Sequence, residues 1–321
     1  MSRVHAREIR CPEQRQIRGR VFPLILSPDG PFDLAANRDA VLALTRDHGG
    51  ILFRGFDVPS PEAFAHFVET LRIENMPYVG GAAVRSSIVG DRVFTANESP
   101  PDQPVPFHHE MAQVPEPPAY IFFYGETPPA SGGETPILLS HEVYTFFLER
   151  FPDCCAAVEA HGIRYVRVMP EEDDPRSAIG RGWRSTFQVQ TRAEAEQVML
   201  KMGTQWEWLD GGDLKTLTAV VPAIRMDTRT GEKQFFNSMV AAYKGWVDVR
   251  NDPKRAVRLG NDEPIDASAL EALDGFMRER CVAIPWEQND VLMLDNGLTM
   301  HARNPFRPPR RILASIGKRA L

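Results

Sequence analysis

The amino-acid sequence predicts a mainly β protein: an antiparallel sandwich or barrel with helices packed against its outside. Three observations lead to this fold class. Short segments rich in β-branched and aromatic residues are bounded by turn-forming residues, as strands are. These segments outnumber helical ones in the second half of the chain. They also lack the regular alternation of strand and helix that a doubly wound parallel sheet requires.

Five segments have this strand-like composition, and a sixth is marked by its alternation. In residues 162–168 and 311–318, alternating side chains predict one face toward the interior and one face away from it. The segments are 50–56 (GILFRGF), 119–125 (AYIFFYG), 162–168 (GIRYVRV), 280–286 (RCVAIPW), 290–296 (DVLMLDN) and 311–318 (RILASIGK).

Helices are predicted where apolar residues recur every three or four positions behind a capping residue. Two of the starts carry the capping-box pattern, because Glu194 and Glu271 follow a hydroxyl residue by three positions. The predicted helices begin at Asn37, Ser60, Ser140, Thr191 and Ser268.

Composition places the chain among ordinary folded proteins. With 321 residues, 43% of them hydrophobic, it is long enough for one large domain, and we expect a single domain over residues 1–321. Within it, residues 1–35 are expected to be an N-terminal extension. The polar stretch 170–184 is a candidate lid loop, because long irregular loops in compact domains are often binding loops.

Charge and cysteine usage limit the partners that we expect. A net charge of −6 argues against nucleic acid, and no apolar run is long enough to span a membrane. The four cysteines include the adjacent pair Cys154 and Cys155, which suits neither a disulfide framework nor a zinc site, so reduced thiols in a cytoplasmic protein are expected. The sequence gives no indication of oligomeric state.

The stretch PVPFHHEMAQ (104–113) contains two adjacent histidines followed by a glutamate. If residues 105–111 are extended, His108 and Glu110 point to one face and His109 points to the other. A histidine and a carboxylate on one face can bind one metal ion. The alternative is a surface or core histidine that is hydrogen-bonded to a nearby carbonyl group.

A third ligand would complete the two-histidine, one-carboxylate triad that suits non-haem Fe(II). His301 is the candidate, because it follows a buried-looking strand and the turn DNGLTM, whereas the other histidines lie in helical or terminal parts of the chain. Adjacent arginines, Arg310 and Arg311, begin the next strand. This arrangement suits an anionic co-substrate bound beside a cation.

The motifs FHHE (107–110), SGGETPI (131–137), LDNGLTMHARNPF (294–306) and RRIL (310–313), together with GGILFRGF (49–56), resemble those of a known family. They are similar to the Fe(II)- and 2-oxoglutarate-dependent dioxygenases of the taurine dioxygenase (TauD/TfdA) superfamily. FTANESPPDQPVPFHHEMA and FFNSMVAAYKGW resemble its clavaminate synthase-like, SyrP-like branch. The resemblance implies a double-stranded β-helix (jelly-roll) core.

The resemblance also implies roles for individual residues. His108, Glu110 and His301 would be the iron ligands, with Glu110 standing where taurine dioxygenase has aspartate. Arg311 would bind the distal carboxylate of 2-oxoglutarate with help from the Thr135 hydroxyl group. The loop after His301 is one residue shorter than in taurine dioxygenase. Arg310 would face away from Arg311, and is expected to be solvated or structural.

Substrate contacts are less specific in the sequence. The resemblance suggests an amino acid or an amino-acid-derived substrate, free or tethered to a carrier protein. Surface salt bridges are the alternative for Arg85 and Glu98, and support of Glu110 is the alternative for Arg303. The candidate substrate residues are Arg85, Asn97, Glu98, Asn237 and Arg303.

The implied reaction hydroxylates an unactivated C–H bond, using O2 and 2-oxoglutarate and producing succinate and CO2. Desaturation or cyclisation are other outcomes of the same chemistry. A halogenase is disfavoured, because that activity needs a small residue in place of the carboxylate ligand. A different class of protein, a non-catalytic jelly-roll metal-binding or sensory protein, remains the alternative to an enzyme.

Overall fold

A computed structural model describes residues 5–320 of the chain, which form 22 strands, eight α-helices and two short 3-10 turns. The strands are β1 (Ala6–Glu8), β2 (Arg15–Ile17), β3 (Arg20–Phe22), β4 (Leu24–Pro28), β5 (Gly50–Phe53), β6 (Ile73–Asn75), β7 (Ser87–Val89), β8 (Val93–Thr95), β9 (Val105–His108), β10 (Tyr120–Thr127), β11 (Ser131–Gly132), β12 (Ile137–Leu139), β13 (Ile163–Met169), β14 (Gln205–Trp208), β15 (Leu214–Leu217), β16 (Ile224–Asp227), β17 (Glu232–Phe235), β18 (Val257–Leu259), β19 (Val291–Asp295), β20 (Thr299–Arg303), β21 (Phe306–Arg307) and β22 (Arg311–Ala320). The helices are α1 (Leu34–His48), α2 (Pro61–Thr70), α3 (Ser140–Arg150), α4 (Pro152–His161), α5 (Trp183–Phe187), α6 (Arg192–Lys201), α7 (Met239–Gly245) and α8 (Ala267–Arg280).

A nine-stranded major sheet forms one wall of the fold. Its strand order is β1-β4-β5-β19-β10-β22-β8-β7, and β6 also pairs with β22. Every pairing in it is antiparallel except β4 with β5. Strand β10 lies between β19 and β22 at the centre of this sheet, although both of these strands come much later in the chain.

A three-stranded minor sheet, ordered β12-β20-β9, forms the opposite wall. Ile137 of β12 packs in one core cluster with Phe123 of β10, Leu292 of β19 and Ala314 of β22. Two antiparallel sheets therefore face each other across this core. The predicted mainly β class with a jelly-roll core is confirmed.

Helices cover the outer face of each sheet. Val41 of α1 and Phe64 and Val68 of α2 pack on the major sheet, in a cluster with Phe122 and Met293. Behind the minor sheet, residues of α3, α4, α7 and α8 pack together with Phe107, Met300 and Ala302. The helices thus hold the minor sheet in place from outside, which fixes the side chains that it presents to the interior.

Most of the predicted elements are present, with three differences at the level of single segments. Residues 280–286 form no strand, and only Val282 bridges to Ile137. Helix α1 begins at Leu34, three residues before the predicted Asn37, because Asp33 caps it. The capping box at Thr191 is present, but α8 begins one residue before Ser268 and is capped by the Asp266 side chain, which accepts a hydrogen bond from the Ser268 amide. Ser268 therefore lies inside the helix and is not its N-cap.

The N-terminal residues are built into the major sheet. Leu24 and Ile25 of β4 are buried, and β4 pairs with β5 in parallel. The predicted extension, residues 1–35, is therefore in part a component of the fold, and its first four residues lie outside the described part of the chain. The candidate lid, residues 170–184, runs from the end of β13 to α5 and is held by Arg167, whose Nη2 donates to the carbonyl oxygens of Ile179 and Arg181.

All four cysteines are free thiols, as the sequence suggested. Within residues 5–320, the helices are too short or too polar for any of them to cross a bilayer.

Candidate active site

The pairing of β9 with β20 in the minor sheet brings His108 and His301 together. In the antiparallel pairing of β9 with β20, the Cα atoms of His301 and His108 are direct partners. The centroids of the two imidazole rings lie 4.3 Å apart. The His301 ring also packs edge-to-face against Phe123, with 5.1 Å between the ring centroids. Two residues separated by 193 positions in sequence therefore meet because the strands pair in this register.

Glu110 reaches the same point by a different route from the one predicted. Strand β9 ends at His108, and Met111 has a positive φ of 54°, so the backbone turns immediately after the histidines. The Asn296 side chain fixes this turn: its Oδ1 accepts from the Glu110 amide at 2.8 Å and its Nδ2 donates to the Glu110 carbonyl at 3.1 Å. The approach of Glu110 to His108 is due to this turn, not to strand alternation.

One ligand atom from each of His108, Glu110 and His301 lies within 4.8 Å of the others. The shortest recorded approach is 3.5 Å, between His301 Nε2 and Glu110 Oε2. Burial by itself would raise the pKa of Glu110, but the Arg85 guanidinium and the two histidines hold it well below its usual range. Burial lowers the pKa of His108 to about 4, so its imidazole is neutral near pH 7.

This donor set fits a divalent metal ion. His108 Nδ1 lies 2.9 Å from the Pro106 carbonyl oxygen, which can only accept a hydrogen bond, so a neutral His108 carries its lone pair on Nε2. That lone pair and the Glu110 carboxylate are acceptors in one buried space. Buried acceptors that face each other are unfavourable without a cation between them. Two imidazoles and one carboxylate are the ligand set that non-haem Fe(II) uses.

His109 lies on the opposite side of the chain from this cluster. Its Nδ1 contacts the Asn296 carbonyl oxygen at 2.5 Å, its Nε2 contacts Ser140 Oγ at 2.6 Å, and its ring stacks on Phe236. Burial lowers the pKa of His109 to about 3. Both ring nitrogens are therefore used within the protein, and His109 acts as a buried connector between the minor sheet, α3 and the turn before β20.

Arg85 supports the carboxylate of the cluster. Its Nη2 donates to both oxygens of Glu110, at 3.0 and 3.1 Å, and only 6% of its side chain is exposed. The guanidinium lies over the rings of Tyr78 and Phe94, 4.1 and 4.9 Å from their centroids. The surface salt bridge considered for Arg85 is therefore wrong. The support of Glu110 that was considered for Arg303 comes from Arg85 instead.

The arginine pair has the reverse orientation to the one predicted. The Arg311 side chain is 49% exposed and pairs with Glu126 on the outer side of β22. Arg310 is half-buried, and its Nε donates to the Gly133 carbonyl at 2.9 Å. Burial, reinforced by the nearby charge of Arg303, lowers the pKa of Arg310 to about 9. The exposed position of Arg311 does not support it as the residue that binds 2-oxoglutarate, and Arg310 is the less exposed member of the pair.

Thr135 lies close to the cluster in the minor sheet. It is buried two positions before Ile137, whose Cα is the strand partner of His301. It lines a small cavity with Trp286 and Leu292, which is separate from the one that His108 and Glu110 line. Gly133, which anchors Arg310, is two residues earlier, so Thr135 and Arg310 are attached to the same short segment.

The remaining substrate candidates divide into one that lines the site and three that do not. Asn97 lines a cavity beside the cluster. Glu98 is exposed and accepts hydrogen bonds from the Ser86 amide and Thr95 hydroxyl. Asn237 uses both ends of its amide on the backbone of Ala223 and Met239, and Arg303 donates to carbonyl groups of the loop 99–103. These three side chains have structural contacts in place of the predicted substrate contacts.

The cavity beside the cluster has a volume of about 90 Å³. His108, Glu110, Arg85 and Asn97 line one part of it, and the apolar Ala82, Ile179 and Trp246 line another. Ile179 and its neighbour Ala178 come from the candidate lid segment, so that segment forms part of the wall. A small molecule in this cavity would lie directly against the two ligand side chains.

Comparison with known proteins agrees with this site. A model of the family described as "Taurine catabolism dioxygenase TauD, TfdA family" matches residues 25–316. The chain belongs to the TauD/TfdA family. The enzyme class predicted from the sequence, a dioxygenase of this family that uses Fe(II) and 2-oxoglutarate, is thereby confirmed.

Individual TauD/TfdA relatives cover nearly the whole chain. A clavaminate synthase-like protein of Arabidopsis thaliana is 45% identical over 324 residues, covering 97% of this chain and 98% of that protein. The dapdiamide synthesis protein DdaC of Enterobacter agglomerans is 24% identical, covering 90% and 88%. The crystal structure of PvcB from Pseudomonas aeruginosa matches with a TM-score of 0.56 at 16% identity, covering 100% and 94%, and this likeness concerns the fold.

Sequence reasoning missed two side chains that shape the site. Asn296 lies in the motif LDNG, but its role as the residue that holds Glu110 is not visible until β19 and the turn after β9 are adjacent. Arg310 was set aside because the family resemblance matched Arg311 to the 2-oxoglutarate site and alternation then placed Arg310 on the other face. Arg310 precedes β22, so this alternation does not apply to it.

Proposed function

We propose that the protein is an Fe(II)- and 2-oxoglutarate-dependent dioxygenase that hydroxylates an unactivated C–H bond of an amino acid or amino-acid-derived substrate. The observation that carries the proposal is the buried His108–Glu110–His301 cluster, which opens onto a cavity. Balanced over one turnover, the substrate C–H bond becomes C–OH, while 2-oxoglutarate and O2 give succinate and CO2.

In this proposal His108, Glu110 and His301 hold the iron. The bound iron supplies the activation of O2 that no side chain of the protein can provide. The hydrogen bond from Nδ1 to the Pro106 carbonyl orients His108. Hydrogen bonds with Arg85 and Asn296 orient Glu110. Such outer contacts fix the orientation of metal ligands and typically change metal affinity 10- to 100-fold when removed.

We further propose that Arg310, assisted by the Thr135 hydroxyl, binds the distal carboxylate of 2-oxoglutarate. The support is the half-buried position of Arg310 and its attachment to Gly133, close in sequence to Thr135. A guanidinium binds a carboxylate with charge-assisted hydrogen bonds, and the low polarity around Arg310 strengthens them.

The substrate class rests on relatives and on the cavity. One relative is a dapdiamide synthesis protein and another is clavaminate synthase-like, and both names are consistent with amino-acid-related chemistry. The cavity combines a cation, Arg85, with apolar walls from Ile179 and Trp246, which suits a small molecule with one polar end.

The test is an anaerobic titration of metal-free protein with Fe(II) and 2-oxoglutarate, followed by the weak visible charge-transfer band of the chelate. We expect the band in the wild type and its absence in His301→Ala. Admission of O2 should then release succinate from the wild type. A folded wild-type protein that gives no band would contradict the proposal, and a band without succinate would favour the non-catalytic metal-binding alternative.

A further inference from the structure

Arg85 has hydrogen-bonding capacity that the protein does not use. Within the described residues, its Nη2 donates to Glu110. The buried Nε and Nη1 atoms have no hydrogen-bond acceptor within residues 5–320, although Arg85 lines the cavity beside the cluster. A buried charged donor without a partner is unfavourable and rare in folded proteins, so these atoms are available to a ligand or water.

Positive charge is in excess around this cavity. Besides Arg85, the guanidinium groups of Arg167 and Arg181 are buried nearby. Arg181 lies over the same Tyr78 ring as Arg85, and Arg167 donates to the carbonyl group of Ala82 in the cavity wall. The hydrogen bonds recorded for Arg167 and Arg181 go to backbone carbonyl oxygens. Carbonyl dipoles satisfy donors but do not neutralise charge.

Among the residues that line the cavity, Glu110 is the one carboxylate, and it is already paired with Arg85. The other polar lining groups are neutral: the Tyr78 and Ser238 hydroxyls and the Asn97 and Gln113 amides. An ammonium group placed here would face Arg85 and the metal without a free counter-charge. The cost of a buried unpaired charge opposes such binding.

From these observations we infer that the substrate carries a carboxylate, held by the unpaired N–H groups of Arg85, and no free ammonium group. An amino acid whose nitrogen is acylated meets both conditions. A free amino acid fails the second condition, and an aminoacyl group tethered through its carboxyl carbon fails both. The inference rests on the proposed function and narrows its substrate class.

The experiment measures equilibrium binding by calorimetry, with Zn²⁺ in place of iron so that no turnover occurs and with saturating 2-oxoglutarate so that its own site is filled. Three matched probes share one side chain: N-acetyl-L-valine, L-valine and L-valinamide. We expect N-acetyl-L-valine to bind at least ~10-fold more tightly than L-valine, because the ammonium group of L-valine would be buried without a counter-charge. We expect L-valinamide not to bind, because it carries the ammonium group and lacks the carboxylate that Arg85 would hold.

Variants assign the effect to Arg85. Arg85→Gln should weaken N-acetyl-L-valine binding at least ~10-fold, and Arg85→Lys, which keeps the charge, should recover part of the loss. Arg303→Gln is the matched control, because Arg303 is a buried arginine that does not line the cavity. Its Nη1 and Nη2 donate to carbonyl groups of the loop 99–103, and its Nε, like that of Arg85, has no acceptor within residues 5–320. The control should change the affinity for N-acetyl-L-valine by less than about 2-fold, because removing the hydrogen bonds of Arg303 affects the loop 99–103 and not Arg85.

Three outcomes would overturn the inference. The first is binding of L-valinamide as tight as that of N-acetyl-L-valine. The second is an Arg85→Gln variant that loses 2-oxoglutarate affinity but keeps N-acetyl-L-valine affinity, which would assign Arg85 to the co-substrate. The third is no binding of N-acetyl-L-valine, N-acetylglycine or N-acetyl-L-leucine to protein that binds zinc and 2-oxoglutarate. Failure to bind zinc or 2-oxoglutarate would instead contradict the proposed function.

Discussion

His301 is the direct strand partner of His108, and this single register position brings the two imidazole rings to 4.3 Å. The pair lies between β9 and β20 in the minor sheet, with Phe123 of the major sheet against His301. Glu110 completes the cluster from the turn that follows β9. Because each member comes from a different element, each can be removed without deleting the strand that carries the others.

The first prediction concerns metal binding. His301→Ala and His108→Ala should each lose tight binding of Fe(II) or Zn²⁺, because each variant keeps only two of the three metal ligands. His109→Ala should keep metal binding, since both of its ring nitrogens contact Asn296 and Ser140. Metal content after dialysis, measured by mass spectrometry, checks this. Equal losses in the His108 and His109 variants would show that the metal lies elsewhere.

The second prediction concerns the arginine pair. Arg310→Gln should weaken 2-oxoglutarate binding about 10- to 100-fold, as expected for the loss of a charge-assisted hydrogen bond of about 1.5–3 kcal/mol. Arg311→Gln should change it less than about 2-fold, because the exposed pair with Glu126 contributes little. The band of the Fe(II)–2-oxoglutarate chelate measures both affinities. The opposite ranking would return the role to Arg311.

The third prediction concerns Asn296. Its side chain makes hydrogen bonds to the amide and carbonyl of Glu110 and to the Pro118 carbonyl. Asn296→Ala should lower the free energy of unfolding by about 2–4 kcal/mol, given roughly 1 kcal/mol for each bond and a further cost for buried groups left unpaired. Metal affinity should fall as well, because Glu110 loses its anchor. Urea unfolding and zinc calorimetry measure the two effects.

A matched control for Asn296 is Asn261→Ala. Asn261 is an exposed asparagine whose amide bonds to Glu263, so its removal should change stability by less than about 0.5 kcal/mol. If the two variants were equally stable, the network around Asn296 would not support the site in the way that its hydrogen bonds indicate.

The fourth prediction concerns acid stability. Burial lowers the pKa of His109 to about 3, from an ordinary value of 6.5, although its hydrogen bond to the Asn296 carbonyl opposes the shift. Between these values the unfolded chain binds a proton that the folded protein does not. Stability therefore falls as pH drops from about 6.5 toward 3. His109→Gln should reduce this dependence.

Urea unfolding at pH 7 and pH 4.5 provides the measurement for His109. The comparison is the wild type minus the variant at each pH, because burial lowers the pKa of His108 and of His141 to about 4, and both add to the acid sensitivity of either protein. Curves with the same pH dependence in wild type and His109→Gln would show that His109 is not the group that titrates.

The sequence by itself determined which side chains form the candidate site and where several of the strands lie. The spacing HxE and the scarcity of other histidines outside helices made His108, Glu110 and His301 candidates, and the family resemblance of the surrounding motifs implied that they are the three ligands. Segments rich in β-branched and aromatic residues predicted the strands β5, β10, β13 and β19. These features are local or compositional, so they can be recognised without knowledge of the tertiary structure.

Tertiary structure decided how the side chains are used. Arg310 immediately precedes β22 and Arg311 is its first residue, so alternation along the strand does not relate the two side chains. Which arginine is exposed depends on their tertiary partners, Gly133 for Arg310 and Glu126 for Arg311. Arg85 and Asn296 contact Glu110 from sequence distances of 25 and 186 residues. Contacts of that kind depend on the packing of whole sheets, because burial and pairing partners are properties of the folded chain and are not encoded in any local stretch.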